Sequence, residues 1–294
     1  MPELPDLTVY MEHLERRTAG SELRNIRLAS PFVLRTVAPR PDELAGRAVL
    51  GWRRLAKQLV LHLEGDFFAV LHLMISGRLL WHEKAIAVPK RIGLAAFDFS
   101  TGTLVFTEAS KKKRASLRLL QGERDLATLD PGGMEILDVP LAEFADRLRQ
   151  TNHTLKRALT DQHVFAGVGN AYSDEILLHA RLSPFKQARA LSEAEVERLY
   201  LACRDTLQTW VDRLREQSGA DWPKKVTAFH PEMAVHGRYR EPCPQCGSAV
   251  QRIVYAENES NYCAKCQTDG RLLADRSLSR LLKANWPKRL EDLE

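Results

Sequence analysis

Several things are missing from this sequence, and each absence excludes something. No apolar run approaches the roughly 20 residues that a bilayer-spanning helix needs, so a membrane protein of that kind is excluded. The first twenty residues carry acids and the Arg16-Arg17 pair in a polar pattern, which is not the composition of a secretory signal. These absences point to the cytosol. Internal repeats and low-complexity tracts are also lacking. Cysteine is scarce: five residues, four of them within 24 positions and Cys203 alone. A lone cysteine in a helical pattern reads as a small buried hydrophobe, and a cytosolic chain argues against disulfides.

At 294 residues and 33.3 kDa the chain is too long for one small core, so two or three units are expected. Hydrophobic content of 44% and charged content of 28% are those of a soluble globular protein. The formal net charge is +5, with 43 Lys and Arg against 38 Asp and Glu. That excess permits nucleic-acid binding without demonstrating it. Its distribution says more. The run "SKKKRASLR", Ser110 to Arg118, follows a strand-like segment and is placed to line a groove.

Hydrophobic periodicity divides the chain. Leu7, Tyr10, Met11 and Leu14 recur at helical spacing, so residues 6 to about 18 are expected as an amphipathic helix entering at Asp6. "KQLVLHLEGDFFAVLHL" holds two apolar segments split by Gly65-Asp66, the pattern of a tight hairpin. "AAFDFSTGTLVFTE" repeats it around Thr101-Gly102. Turn-rich "LDPGGME", from Leu129, marks a boundary. Helical patterns then follow, the last opening at Ser192 with Glu195 three residues on, a capping box. The expected fold is α+β and multidomain. Residues 1–135 form a β-sandwich with a leading helix, 136–225 a helical domain, 226–270 a cysteine hairpin, and 271–294 a helical tail.

Three constellations carry chemistry. Cys243 and Cys246, then Cys263 and Cys266 after 16 intervening residues, supply the four thiolates that a tetrahedral zinc ion asks of a β-hairpin. Four protein ligands leave no open position, so one structural zinc is expected. "DQHVFAGVGNAYSDEIL", Asp161 to Leu177, places Gly167, Gly169 and Asn170 in a turn before a helix. Glycine allows close backbone approach there, and the free amides of a helix N-terminus favour anions. An ordinary helical corner accounts for that stretch equally well. Lys57, in "RRLAKQLVLHL", lies at a strand edge, where most lysines simply face solvent.

Taken in order, "PELPD", "AKQLVLHL", the Asp161–Leu177 turn and "GRYREPCPQCG…NYCAKCQ" resemble the formamidopyrimidine-DNA glycosylase and endonuclease VIII family, with its helix-two-turns-helix and zinc finger. The likeness extends to about Gln267. It implies a base-excision-repair glycosylase with abasic-site lyase activity, acting as a monomer on damaged double-stranded DNA in the bacterial cytosol. After removal of Met1, Pro2 would be a secondary amine whose pKa near 8 leaves more free base than a lysine at neutral pH. Glu3 would manage protons at the sugar and Lys57 would place a cation at the lesion. His72, Lys111, Lys112, Lys113, Arg114, Lys156, Gly167, Gly169 and Asn170 are implied as DNA contacts. Asp6, where the family commonly has a glutamate, reads as a helix-capping residue.

The chain departs from the family pattern in two places. Where bacterial members carry a loop whose arginine and phenylalanine fill the gap left by an everted base, this chain has Ser110, Lys111 and Lys112, with Ile75 in place of a methionine. At the zinc hairpin's tip, where an arginine is common, it has Asn258 between Glu257 and Glu259. Arg252 and Arg271 are the arginines available to substitute. Two other readings stay open: a damaged- or abasic-DNA-binding member with weak or no glycosylase activity, and a lyase-dominant enzyme.

Overall fold

The structure, a computed structural model, describes residues 1–150, 152–223, 226, 230–255, 258–274, 280–281 and 287–293. It divides into two compact units, residues 1–131 with 210–227 and residues 132–209 with 228–294. The stretch 210–227, expected with the helical domain through residue 225, groups with the N-terminal unit.

The N-terminal unit opens on helix α1, Leu4–Thr18. Its entry is a capping box: Glu3 is the N-cap, Pro5 sits in the first turn, and the Asp6 carboxylate accepts the Glu3 amide hydrogen at 2.9 Å. The helix therefore starts two residues before the expected entry at Asp6. Leu4, Leu7, Tyr10 and Leu14 are buried, and Arg16 and Arg17 occupy the last turn, where cations suit the helix dipole.

Eight antiparallel strands follow: β1 (Glu22–Leu28), β2 (Arg47–Leu55), β3 (Gln58–Leu63), β4 (Phe67–His72), β5 (Gly77–His82), β6 (Gly93–Phe99), β7 (Gly102–Glu108) and β8 (Ser116–Gln121). Their order is β5-β7-β6-β1-β2-β3-β4-β8. β1 and β2 pair through Glu22–Ala48 and Leu23–Arg47 alone, so that short seam joins two four-stranded halves. One apolar cluster gathers Leu23 and Phe97 from one half, Leu61 and Leu117 from the other, and Leu7 and Leu14 from α1. This is the expected sandwich with its leading helix. Both hairpins lie where expected. Gly65 (φ 78°) and Asp66 (φ 57°) turn β3 into β4, the left-handed pair that suits the strand twist. Val60, Phe68 and Val70 point to the opposite face, where they pack with Leu126 of the short helix α2, Glu123–Ala127. With both faces covered, "QLVLHL" reads as an almost continuous apolar run.

The second unit contains α3 (Leu141–Gln150), α4 (Leu155–Thr160), α5 (Asn170–His179) and most of α6 (Glu193–Ser218). The capping box at Ser192 and Glu195 is formed, with N–H to side-chain bonds of 3.0 and 3.3 Å. Phe144 stacks on Phe165 at 4.9 Å in the core of this unit. Strands β9 (Gln251–Tyr255) and β10 (Asn258–Tyr262) make the cysteine hairpin, followed by α7, Ala264–Thr268. Past the hairpin, Leu272 and Leu273 are buried against Ile253 and Tyr262, with Leu290 alongside. Of the leucines expected to dock a tail helix, Leu278 and Leu282 lie outside the described residues, and Leu281 is exposed.

The far end of α6 and the segment after it are tied to the rest of the N-terminal unit by polar contacts. Arg215 grips the Glu12 carboxylate at 2.7 Å, and Trp222 donates to the Leu79 carbonyl at 2.8 Å while its ring lies 5.5 Å from that of Tyr10. These contacts account for the grouping of 210–227. Among the described residues no helix is long and apolar enough to cross a membrane.

Candidate active site and nucleic-acid interface

In the N-terminal unit, Pro2 and Glu3 are buried at the mouth of α1. The Asp6 bond to the Glu3 amide fixes the dipeptide's direction. The N-terminal amine belongs to Met1 here, and burial is the main cause holding it below its ordinary pKa. Glu3 and Asp6 push it back up, whereas Arg78 and Lys57 push it further down. Asp6 itself is raised to about 7 by burial, and its Oδ1 has no hydrogen-bond partner. The terminus is thus a buried site where two carboxylates and two cations act on one amine.

Lys57 occupies the two-residue turn between β2 and β3, after Ala56 at φ 50°. It is 9% exposed, unlike the solvent-facing lysine that a strand edge usually carries. Register places Gln58 opposite His72 and His72 opposite Ser116. Burial, then the charges of Lys57 and Arg118, lower the His72 pKa to about 4, so its imidazole is neutral. Its Nδ1 accepts the Met74 amide hydrogen at 3.2 Å. His72 therefore shapes the turn that leaves Ile75 56% exposed.

Glu108, at the end of β7, is buried, and its carboxylate accepts the amide hydrogens of Arg114 and Ala115 at 2.9 and 3.1 Å. The Lys113 ammonium donates to the Glu108 carbonyl. Between these anchors the loop presents Lys111, Lys112, Lys113 and Arg114 at the surface.

In the second unit, the glycine turn is stitched by Gln162. Its Oε1 accepts the Gly167 amide hydrogen at 2.9 Å, and its Nε2 donates to the carbonyls of Thr160 and Val168. Gly167 adopts φ 81°, a left-handed conformation natural to glycine. Gly169 is the N-cap of α5 with extended backbone, and Asn170 opens the helix. The Asn170 side-chain amide donates to the Glu259 carbonyl on β10 at 2.7 Å. The turn and the hairpin are thereby joined.

Two of the implied DNA contacts have partners within the protein. The Gly167 amide is spent inside the turn. Lys156 is only 3% exposed; its ammonium lies 2.5 Å from Asp174 Oδ1 and 2.7 Å from the Asn170 carbonyl. Burying a lysine is tolerable only when it is paired, and here Lys156 holds the start of α5 rather than facing a ligand. Asp174 also accepts from Ser260, from the Asn261 amide and from His236, so one carboxylate fastens α4, α5, the His236 loop and β10. Glu175 beside it accepts the amides of Ala234, Val235 and His236 at 2.7 to 3.0 Å. Sequence reasoning missed these carboxylates. Their one signal is an acidic pair inside an otherwise apolar helix, which is costly unless its partners are supplied.

The four cysteine sulfurs lie within 4.8 Å of one another, and Cys246 Sγ is 3.4 Å from Cys263 Sγ. Zinc–thiolate bonds of about 2.3 Å in a tetrahedron put the sulfurs ~3.8 Å apart. The donor set fits one closed zinc site, in which Gly247 (φ 75°) turns the first knuckle and Gln267 Oε1 accepts the Cys263 amide hydrogen at 2.8 Å. The ion is structural.

Comparison with known proteins agrees with this layout. Residues 1–119 match the formamidopyrimidine-DNA glycosylase N-terminal domain, 134–219 the H2TH domain of the same enzymes, and 240–268 the zinc finger found in FPG and IleRS. A formamidopyrimidine-DNA glycosylase from Thermus thermophilus is 34% identical over 277 residues, covering 92% of this chain and 100% of the relative. One from Chloroflexus aurantiacus is 32% identical over 280 residues, covering 91% and 98%. The crystal structure of a Thermus thermophilus MutM (Fpg) protein superposes with a TM-score of 0.76 at 32% identity over 90% of this chain and 98% of that one. A MutM structure in complex with carbocyclic 8-oxo-G containing DNA reaches 0.79 at 26% identity, over 91% and 100%. With its sheet, turn and zinc hairpin matched in order, this chain belongs to the formamidopyrimidine-DNA glycosylase family.

Proposed function

We propose that this protein excises oxidised bases of the formamidopyrimidine and 8-oxoguanine type from duplex DNA and then cuts the strand, with Pro2 as the nucleophile. The observation that carries this reading is the buried terminus, where Pro2 and Glu3 start α1 and burial lowers the amine's pKa with the charges of Glu3 and Lys57 acting on it. With Met1 removed, the Pro2 nitrogen inherits those surroundings. Its lone pair attacks C1′ of the damaged nucleoside, and the C1′–N bond to the base breaks. The base leaves with a proton. Ring opening gives an iminium that withdraws electrons from C2′. Glu3 serves the proton transfers, and loss of the C2′ proton expels the 3′ phosphate by elimination. Lys57 supplies positive charge near the sugar-phosphate.

The damaged nucleotide has to leave the stack to reach such a terminus. Ile75 and the Lys111–Arg114 loop are the groups proposed to meet the space it vacates. Cations on that loop hold phosphates and do not read base edges, so weak discrimination of the opposite base is expected. The bacterial relatives support a protein that works in the bacterial cytosol, and we read it as a monomer there.

The test is borohydride trapping on duplexes carrying 8-oxoguanine, formamidopyrimidine or an abasic site. A covalent adduct is expected with the processed protein. It should vanish in Pro2→Gly and in a version that retains one extra residue before Pro2. No adduct on any duplex would overturn the reading.

A further inference from the structure

The turn that projects Ile75 is clamped from both sides. The Gly77 amide closes it by donating to the Leu73 carbonyl at 2.8 Å, and a Cβ on Gly77 would lie 2.2 Å from that carbonyl oxygen. Within the turn Met74 adopts φ 52°, a left-handed conformation that a non-glycine residue takes at a cost. Such a backbone persists only where its surroundings hold it. His72 holds the entry, through the Met74 amide. Arg78 holds the exit: its Nη1 donates to the carbonyls of Ile75 and Gly77 at 3.2 and 2.6 Å.

Arg78 is in turn fixed by β5 and its neighbours. Register sets it opposite Thr107, whose hydroxyl donates to the Arg78 carbonyl at 3.3 Å. At the next residue, the Leu79 amide donates to the Tyr10 hydroxyl at 3.5 Å, and the Leu79 carbonyl accepts from Trp222. Tyr10 is buried on α1, one helical turn beyond Asp6, so β5 ties Arg78 to the helix that opens at the terminus. Among the described residues no carboxylate forms an ion pair with Arg78, and its charge reaches the terminal amine. Burial is the first cause lowering that amine's pKa. Of the charges that act on it, Glu3 and Asp6 on α1 oppose burial, whereas Arg78 on β5 and Lys57 on the β2–β3 turn add to it.

We propose that Arg78 is a positioning residue that couples the Ile75 turn to the attacking terminus, one guanidinium both setting the projecting turn and holding a positive charge near the Pro2 amine. A fixed cation disfavours protonation of an amine close to it, which keeps the lone pair available for attack. The same side chain keeps Ile75 projecting, so filling the stack and attacking the sugar depend on one residue. This inference rests on the reading of Pro2 as the nucleophile and deepens it.

The experiment follows single-turnover borohydride trapping on an abasic-site duplex from pH 5 to pH 9. A 2-aminopurine opposite the abasic site reports insertion into the stack by its fluorescence. Wild-type trapping should rise with pH through a midpoint set by the amine. Arg78→Gln keeps a donor for the turn and loses the charge; its midpoint should move up by about half a pH unit or more, with the fluorescence change largely kept. Arg78→Met should show the same movement and lose the fluorescence change. Arg78→Lys should keep the wild-type midpoint, and Ile75→Ala should lose the fluorescence change without moving the midpoint. Slower trapping alone is what a merely structural role would give. A midpoint unmoved in both Arg78→Gln and Arg78→Met would therefore overturn the proposal, as would a wild-type fluorescence change in Arg78→Met, and in either case the Pro2 reading survives. Wild type that forms no adduct at any pH would overturn both.

Discussion

Asp6 shows how much one carboxylate's surroundings decide. It completes a capping box, yet one oxygen is buried without a partner, and burial raises its pKa from 3.8 to about 7. Between those values the native state keeps a proton that the unfolded chain has released, so stability falls as pH rises through that window. Above about 7 the loss is complete. Asp6→Asn keeps an oxygen to accept the Glu3 amide hydrogen and removes the titration. The stability difference between variant and wild type should therefore grow in the variant's favour from pH 5 to pH 8, by on the order of 1–3 kcal/mol, as read from urea unfolding at each pH. A constant difference would refute this account. Asp174 is the converse case, held below the usual carboxylate range despite its burial because Lys156 and His236 surround it. Asp174→Ala strands the Lys156 ammonium and should cost about 3–5 kcal/mol. Lys156→Met should cost less, since Asp174 keeps His236, Ser260 and Asn261.

At the scale of elements, the lysine loop between β7 and β8 is built by a residue outside it. The Glu108 carboxylate accepts two backbone amides, so Glu108→Ala should loosen the loop and cost about 1–3 kcal/mol. Faster tryptic cleavage at Lys111 to Arg114 is the measurement, and unchanged cleavage would count against the anchor. Glu108→Gln, whose amide oxygen still accepts, should be milder. Much of this level was legible in the sequence. The α1 periodicity, the Gly65-Asp66 hairpin and the Ser192 capping box each follow from contacts between residues a few positions apart. The loop's anchor was not legible, because nothing at Glu108 distinguishes a buried acceptor of backbone amides from an exposed strand end.

Across the whole molecule, the zinc ion is the test of how the hairpin supports binding. Chelation at neutral pH should disorder residues 240–268, and with them the Arg252 strand and the Glu259 carbonyl that holds Asn170. Affinity for an abasic-analogue duplex should then fall by at least tenfold, with zinc release and binding loss coinciding in a chelator titration. Preserved binding after the metal is gone would refute the coupling. The grouping of 210–227 also emerges only at this scale. Trp222 is one aromatic residue among many in the sequence, and its partners Tyr10 and Leu79 come from distant parts of the chain.

The sequence by itself determined the four zinc ligands, the glycine turn and the family, because each rests on residues whose spacing along the chain already constrains them. Tertiary structure decided which charges do what. Lys156 looked like a phosphate contact and is buried against Asp174; Gly167 looked like a free amide and is spent on Gln162. Arg252 was only one of two arginines available to substitute for one at the hairpin tip, and nothing in the sequence marks Arg240 as sharing one exposed ring with it. Burial and pairing depend on partners brought from distant segments, and no local pattern records which side of a cation will face water.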